Sequence, residues 1–512
     1  MTIKVGPILN FRGSEGGAWK VSILVATDSS SVPAISVSAN GESRSVTANE
    51  LARFKAARDD ITLWRYDCNV RQEATERTVR YGLEGVEWAF AVPAKDANPR
   101  AIYASCNGFS SLKLLKGTKV PNALWKEVNR AHEKASFHLL LMGGDQVYFD
   151  SMWEELSTLG NWVALPADER IKRTPSAAMK RQIAEYYRSL YLRRWSQKEV
   201  AQAFATIPTL MIWDDHDILD GWGSYPTELQ ECEVYKEIFP NARESFALYQ
   251  QQSRPTEPHP LAIAGQDCFS FGCRIGSTAI LAPDMRSERT LTQVLSPKSW
   301  KAIFDWLDAL PNSAMPGGVK HLFLMSSIPV VHPDFAMLEN ALGIFPGYQE
   351  LEDDLRDHWT SVPHRQERLR LIHRLLSFAT TKNCRVTLLS GDVHVGAVGT
   401  ICSERDGGDA SARIINQLTS SGIVHPAPPG VVLFFLEQFA GRNMNDERGI
   451  VSELIELPGT RSHFIGARNW LSLEPDPDDR YWANWHVENE KHPFTKVIHP
   501  VGFLMPRPKM PS

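Results

Sequence analysis

Five short segments carry residue types that can bind a cation or move a proton. They are Ser105-Cys106-Asn107, Gly143-Gly144-Asp145-Gln146-Val147-Tyr148, Asp214-Asp215-His216-Asp217, Ser326-Ser327 and Ser390-Gly391-Asp392-Val393-His394. Asp214, Asp215 and Asp217 put three carboxylates in four residues, a repulsion that is unfavourable unless a cation or strong donors offset it. A multivalent cation is the economical answer. An aspartate after a strand is by itself more often a cap or turn residue than a ligand. Recurrence changes that reading: glycine precedes both Asp145 and Asp392, where it lets the chain turn tightly and aim the carboxylate outward.

Each segment closes a short apolar run, at 100–104, 137–142, 206–213, 321–325 and 385–389, and a sixth run lies at 278–282. Continuous apolar runs with helical stretches between them are how buried strands of an α/β sheet read. Ligands bind in the crevice outside such strand ends, so residues distant in sequence converge there. Helix is predicted over 151–205 and 366–381, and terminal strands at 464–473, 480–487 and 496–501. The first hundred residues differ. Short β-branched and aromatic runs at 3–12, 19–27, 34–38, 61–69, 77–82 and 88–92, separated by turn residues, predict a β-sandwich. The polar, proline-bracketed stretch 93–99 suits a linker. The expected organisation is an N-terminal β-sandwich domain over 1–98 and an α/β domain over 99–505 with helical inserts near 151–205 and 332–380.

The 512 residues are 43% hydrophobic and 22% charged, which is ordinary globular composition. Fifty-five Lys and Arg against 60 Asp and Glu leave a net charge of −5, which disfavours a bulk nucleic-acid binder. No apolar run reaches the roughly 18 residues of a membrane span. No export signal is seen at the N-terminus, and the seven cysteines are scattered without C-x-x-C spacing; both predict a cytoplasmic, reducing home. Oligomeric state is not encoded in any pattern here.

Taken together the motifs resemble the calcineurin-like metallophosphoesterases, and within them the PhoD-like (alkaline phosphatase D) branch. That branch carries a Cys motif, G-D-x-x-Y, W-D-D-H-[D/E] and S-G-D-x-H, matched here by Ser105-Cys106-Asn107, Gly144 to Tyr148, Trp213 to Asp217 and Ser390 to His394, with Asp284-Met285-Arg286-Ser287-Glu288-Arg289 as its D-x-R-x-x-R element. The resemblance implies a metallophosphoesterase core, a two-sheet sandwich flanked by helices, behind the N-terminal sandwich. It implies a dinuclear site bridged by Asp145. Cys106, Asp145, Tyr148 and His394 would hold ferric iron. Asp145, Asp215 and Asp392 would hold calcium, with magnesium or manganese as alternatives. His216 would be the catalytic histidine, and Asn107, Arg286 and Arg289 would contact the substrate, a phosphate monoester or diester attacked by a metal-activated water. Asp220 stands where the branch usually has Asn.

Two other functions fit the residues: a degenerate metal scaffold acting through its β-sandwich as an interaction module, and a metallohydrolase of a non-phosphate bond. His332, beyond the run at 321–325, and His425 read as metal ligands or, in preference, as groups behind the ligands or on the surface. Trp222 and Tyr225 are candidates for flanking the site mouth. The basic, tyrosine-bearing stretch 180–194 reads as a solvated amphipathic helix in preference to a nucleic-acid patch.

Overall fold

The computed structural model describes residues 1–39, 42–56, 59–333, 359, 364–405, 409–441 and 444–502. Two large sheets stack at its centre. The first runs in the order Phe494–Ile498, Tyr481–Val487, Asn469–Pro475, Ala101–Ala104, Leu139–Gly143, Thr209–Ile212, Ile3–Glu15, Ala18–Thr27, Asp59–Arg71, Ala48–Ala56. Its middle three strands, from Ala101 to Ile212, are parallel. The second sheet has a parallel set of its own, Thr278–Ala282, His321–Ser326, Arg385–Ser390 and Ile414–Thr419.

Strand alternation explains why these runs are apolar throughout. Tyr103, Leu139, Leu141, Leu210 and Ile212 pack between the sheets against Ile280, Phe323, Met325, Leu389 and Leu418. Their neighbours Ile102, Leu140, Met142 and Met211 face the helices Ala123–Lys134, Ala177–Trp195 and Lys198–Thr206. On the far side Leu281, Leu322, Leu324, Val386 and Leu388 face Pro297–Ala309 and Arg365–Lys382. A strand covered on both faces has no polar side to alternate. Each large side chain so buried contributes about 1.5–3 kcal/mol, which anchors the strand ends that carry the chemistry.

The first hundred residues are all-β, as expected, with two further strands, Glu42–Val46 and Ala48–Ala56. They are shared between two sheets. Glu42–Val46, Ile35–Ala39, Arg77–Leu83 and Val86–Val92 form a separate four-stranded sheet. The others extend the first large sheet, joined where Asn10 pairs in parallel with Thr209 and where the Thr209 hydroxyl donates to the Leu9 carbonyl at 2.7 Å. The proline-bracketed stretch 93–99 therefore does not interrupt the sheet.

The helical stretch 151–205 is five helices, Met152–Glu155, Ser157–Val163, Ala167–Lys172, Ala177–Trp195 and Lys198–Thr206. Proline, which lacks an N–H and restricts the residue before it, stands at 166 and 175 between them. Tyr186, Tyr187, Tyr191 and Trp195 are buried, so the tyrosines of the basic stretch are core residues, and Arg188 and Arg193 pair with Glu244 and Glu155. Most of the predicted insert over 332–380 lies outside the described residues; its end is the helix Arg365–Lys382. Among the described residues no helix is long and apolar enough to cross a membrane, and all seven cysteines are free.

Candidate active site

The parallel strands of both sheets deliver their C-terminal ends to one place. Cys106 Sγ lies 3.3 Å from Asp145 Oδ2 and 3.0 Å from the Ser421 hydroxyl, and the Tyr148 hydroxyl is 3.5 Å from the same Asp145 oxygen. One oxygen from each of Asp145, Asp214, Asp215 and Asp392 falls within 4.8 Å of the others, as do single atoms of Asp145, Asp215 and His216. The loops are bent to achieve this: Cys106, Asp145, Asp392 and His394 all have positive φ, between 54° and 69°. Such backbone costs on the order of 1–3 kcal/mol per residue and concentrates at working sites. Gly144 supplies the turn predicted for it, at φ +111°, where a Cβ would sit 2.7 Å from Asp214 Cβ. Gly391 is needed for a different reason, close approach: a Cβ there would lie 2.4 Å from the Ser105 hydroxyl.

Electrostatically the cluster is unbalanced. Asp145 is 1% exposed, and its Oδ1 has no hydrogen-bond partner among the described residues. Burial, then the neighbouring Cys106, pushes its carboxyl well above the usual range. Burial likewise raises the Tyr148 phenol. Asp217 is buried too, and burial pushes it up to about 7 although it accepts from the Asp214, Gln146 and Val147 amides and from Gln250 Nε2. Those contacts make Asp217 a clamp between the two loops that carry Asp145 and Asp215. His394 is lowered by burial and by His425, on which it stacks at 3.7 Å.

His216 is held between an acid and an aromatic face. Its Nδ1 meets Asp150 Oδ2 at 2.9 Å, and its ring stacks on Tyr148 at 4.3 Å. Burial favours the neutral ring, but Asp150, Asp215 and Asp145 outweigh it and raise the pKa well above 6.5. The raised folded value means that this ring adds stability below its unfolded pKa of about 6.5. That contribution is lost as pH rises through the folded value. In metal-free protein, nitrogen-15 spectra at pH 7.5 are expected to show His216 doubly protonated, and Asp150→Asn to shift it toward the neutral form. A neutral ring at that pH in both proteins would remove Asp150 as its determinant.

Cys106, Asp145, Tyr148, Asp215 and Asp392 are brought together around the carboxylates. His394 lies beside His425, which in turn stacks on Tyr148 at 5.5 Å. The groups expected to bind substrate fare differently. Arg286 is fully buried, its Nε on Asp214, its Nη2 3.2 Å from Asp215 Oδ1 and its Nη1 3.2 Å from the Trp222 carbonyl. Asn107 is also fully buried; its Oδ1 accepts from Trp125 Nε1 at 2.8 Å and Arg194 Nη2 at 2.7 Å, and its Nδ2 donates to the Gln146 carbonyl. Arg289 is 4% exposed, with its stem over Gly223. His332 is buried near Phe464. Trp222 stacks on Phe239 at 5.0 Å, and Tyr225 donates to the Asp220 carbonyl. The Asp220 amide donates to Asp150 Oδ1 at 2.9 Å.

Three participants escaped sequence reasoning. Asp150, two residues beyond Tyr148, had a signal in its spacing to the Asp145 motif. Asp214 was visible in the triplet but not as a partner of Arg286 and of the Ser327 hydroxyl. Ser421, which bonds Cys106 and the His394 amide, sits after a strand that was not predicted.

The family model described as "PhoD related phosphatase" matches residues 74–345 and 335–445. An uncharacterized protein of Saccharomyces cerevisiae, YGR266W, is 28% identical over 505 residues, an alignment covering 81% of this chain and 71% of that protein.

Proposed function

The chain belongs to the PhoD-related phosphatase family, and on that premise we propose that it is a metal-dependent phosphoric ester hydrolase working in the crevice at Asp145. The observation that carries this reading is the buried Oδ1 of Asp145, without a partner among the described residues, beside the carboxylates of Asp214, Asp215 and Asp392. A buried acceptor without a donor is costly, and a cation relieves both that cost and the repulsion. Cys106, Asp145, Tyr148 and His394 would surround one ion; Asp145, Asp215 and Asp392 would surround the other. The thiol, phenol and imidazole set suits ferric iron, and the oxygen set suits calcium, magnesium or manganese. Two ions so held would activate a shared water and neutralise charge on the attacking and leaving oxygens of an in-line displacement.

The chain's own groups do the rest. His216, oriented through Nδ1 by Asp150, presents Nε2 as the donor to a phosphoryl oxygen or to the departing alkoxide. Arg286 is reassigned from substrate to positioning, since its guanidinium holds Asp214 and Asp215. Asn107 is reassigned likewise, since Trp125 and Arg194 hold it. For Arg289 we retain the phosphate contact that the D-x-R-x-x-R motif implies.

Metal analysis of the purified protein, with hydrolysis of a chromogenic phosphomonoester and a phosphodiester on the same samples, tests the reading. Two bound ions per chain, with ester hydrolysis lost on chelation and restored on reloading, is the expected result. Protein that stays metal-free and inactive after addition of iron, calcium, magnesium or manganese would sink it.

A further inference from the structure

A cavity of about 280 Å³ opens beside the carboxylate cluster, and Tyr148 is the wall that the two share. On one side the Tyr148 hydroxyl faces Asp145. On the other the tyrosine continues into an apolar lining made by Phe109, Leu112, Leu115, Val147 and Leu190. We propose that this cavity takes the organic group of the substrate, so that the preferred esters are phosphates of an apolar alkyl or aryl alcohol. The inference rests on the phosphoesterase reading and adds the substrate class to it.

The polar groups at the cavity edge are largely engaged with one another, which weakens the case for a sugar or nucleoside in that place. Gln197 Oε1 accepts from Asn122 Nδ2 at 2.6 Å and from Arg194 Nη1 at 2.7 Å. Ser151 meets the Tyr186 hydroxyl at 2.6 Å, Arg193 pairs with Glu155 at 3.2 Å, and the Ser111 hydroxyl caps the helix Leu112–Gly117 through the Leu114 amide. A hydroxyl-rich group would find the best-placed of these atoms, such as Gln197 Oε1, already committed. An apolar group asks for none, and gains by displacing water from the lining. Leu115 strengthens the case: it is 45% exposed, a large apolar side chain left at the cavity rim with water on it. Covering it is favourable only for an apolar visitor.

The size of the effect follows from transfer energies. About 0.8 kcal/mol per buried methylene corresponds to roughly fourfold in affinity or kcat/KM for each carbon that enters. The test uses the metal-loaded full chain and two homologous series, n-alkyl phosphates and n-alkyl p-nitrophenyl phosphates, from methyl to octyl. In whichever series is hydrolysed, kcat/KM is expected to climb at least about tenfold with chain length and then level off as the cavity fills. Calorimetric affinities of the matching n-alkylphosphonates should climb in parallel, which reads the cavity without turnover. Leu112→Asn and Leu115→Ser should flatten both slopes, whereas Met315→Ser, an exposed apolar residue outside the cavity, should keep them. Hydrolysis with no dependence on chain length, together with flat phosphonate affinities, would overturn the inference and leave the phosphoesterase reading intact. Graded phosphonate binding without hydrolysis of either series would support the cavity's preference and overturn the phosphoesterase reading instead.

Discussion

Replacing Asp145 by Asn is expected to lower ester hydrolysis by at least about a thousandfold, roughly 4 kcal/mol of barrier, while making the metal-free protein more stable than metal-free wild type. The two effects share one cause. Asp145 is buried among Cys106, Asp214 and Asp215, whose influence outweighs that of His216, and its Oδ1 has no donor among the described residues. A folded pKa raised above the unfolded value near 3.8 gives stability that is complete below that value and drains away as pH rises through the folded one. Metal-free wild type should therefore lose stability between acid and neutral pH, and Asp145→Asn should lose less. Bound cations reverse the balance, because the carboxylate that strains the empty cluster becomes the ligand common to both sets. Thermal unfolding at pH 5 and pH 8, with chelator and with metal, separates the terms: the variant should melt higher than wild type in chelator and gain little from metal. A variant that melts lower in chelator and hydrolyses ester within tenfold of wild type would make Asp145 an ordinary structural acid.

The strands that carry this site were legible because burial on both faces writes a continuous apolar run. All six predicted runs between 100 and 389 contain strands, and 278–282 matches its strand residue for residue. Strands without that signature were not legible. Ala48–Ala56 mixes exposed Asn49, Arg53 and Lys55 with buried Leu51, Phe54 and Ala56 on the sheet edge, and Gly396–Ser403 and Ile414–Thr419 break their runs with Gly399, Thr400 and Gln417, the last of which donates to the Val331 carbonyl. The helix Pro297–Ala309 did carry a signal, Ser296 as cap with Pro297 in the first turn. Sheet continuity across residue 98 could not be read, because pairing of Asn10 with Thr209 spans 199 residues and leaves no local trace.

Among site residues, the ligand types at strand ends were legible and their partners were not. Asp145, Asp215, His216 and Asp392 announce themselves by following apolar runs. Asn107 and Arg286 have the chemistry of phosphate ligands, but side-chain type does not say which acceptors lie nearest. Trp125 and Arg194 come from helices that the Asn107 motif does not foreshadow, and they satisfy its amide oxygen inside the protein. Conversely Asp150 offers the sequence no more than its spacing to the Asp145 motif, and the fold gives it a role by setting it 2.9 Å from His216 Nδ1 and in reach of the Asp220 amide.

Arg286→Ala is expected to destabilise the metal-free protein by about 3–5 kcal/mol, the cost of leaving a buried charge uncompensated. No solvent reaches this side chain, and its acceptors include two carboxylates at most 3% exposed. Its Nε, Nη1 and Nη2 serve Asp214, the Trp222 carbonyl and Asp215 in turn, so the planar fork spans two adjacent acids and the loop that follows them. Arg286→Lys restores the charge without the fork and should recover only part of the loss. Unfolding in chelator, followed by denaturant, reads the stability; Michaelis parameters of the metal-loaded proteins read the site. A positioning role predicts a large stability change together with weakened metal retention, because Asp215 loses the group that aims it. A direct phosphate contact predicts instead a raised KM at unchanged stability, and that pattern would return Arg286 to the substrate. The buried geometry favours the first outcome, since an arginine that already bridges two carboxylates must abandon one of them to reach a phosphate, leaving that acid charged and unpaired inside the protein.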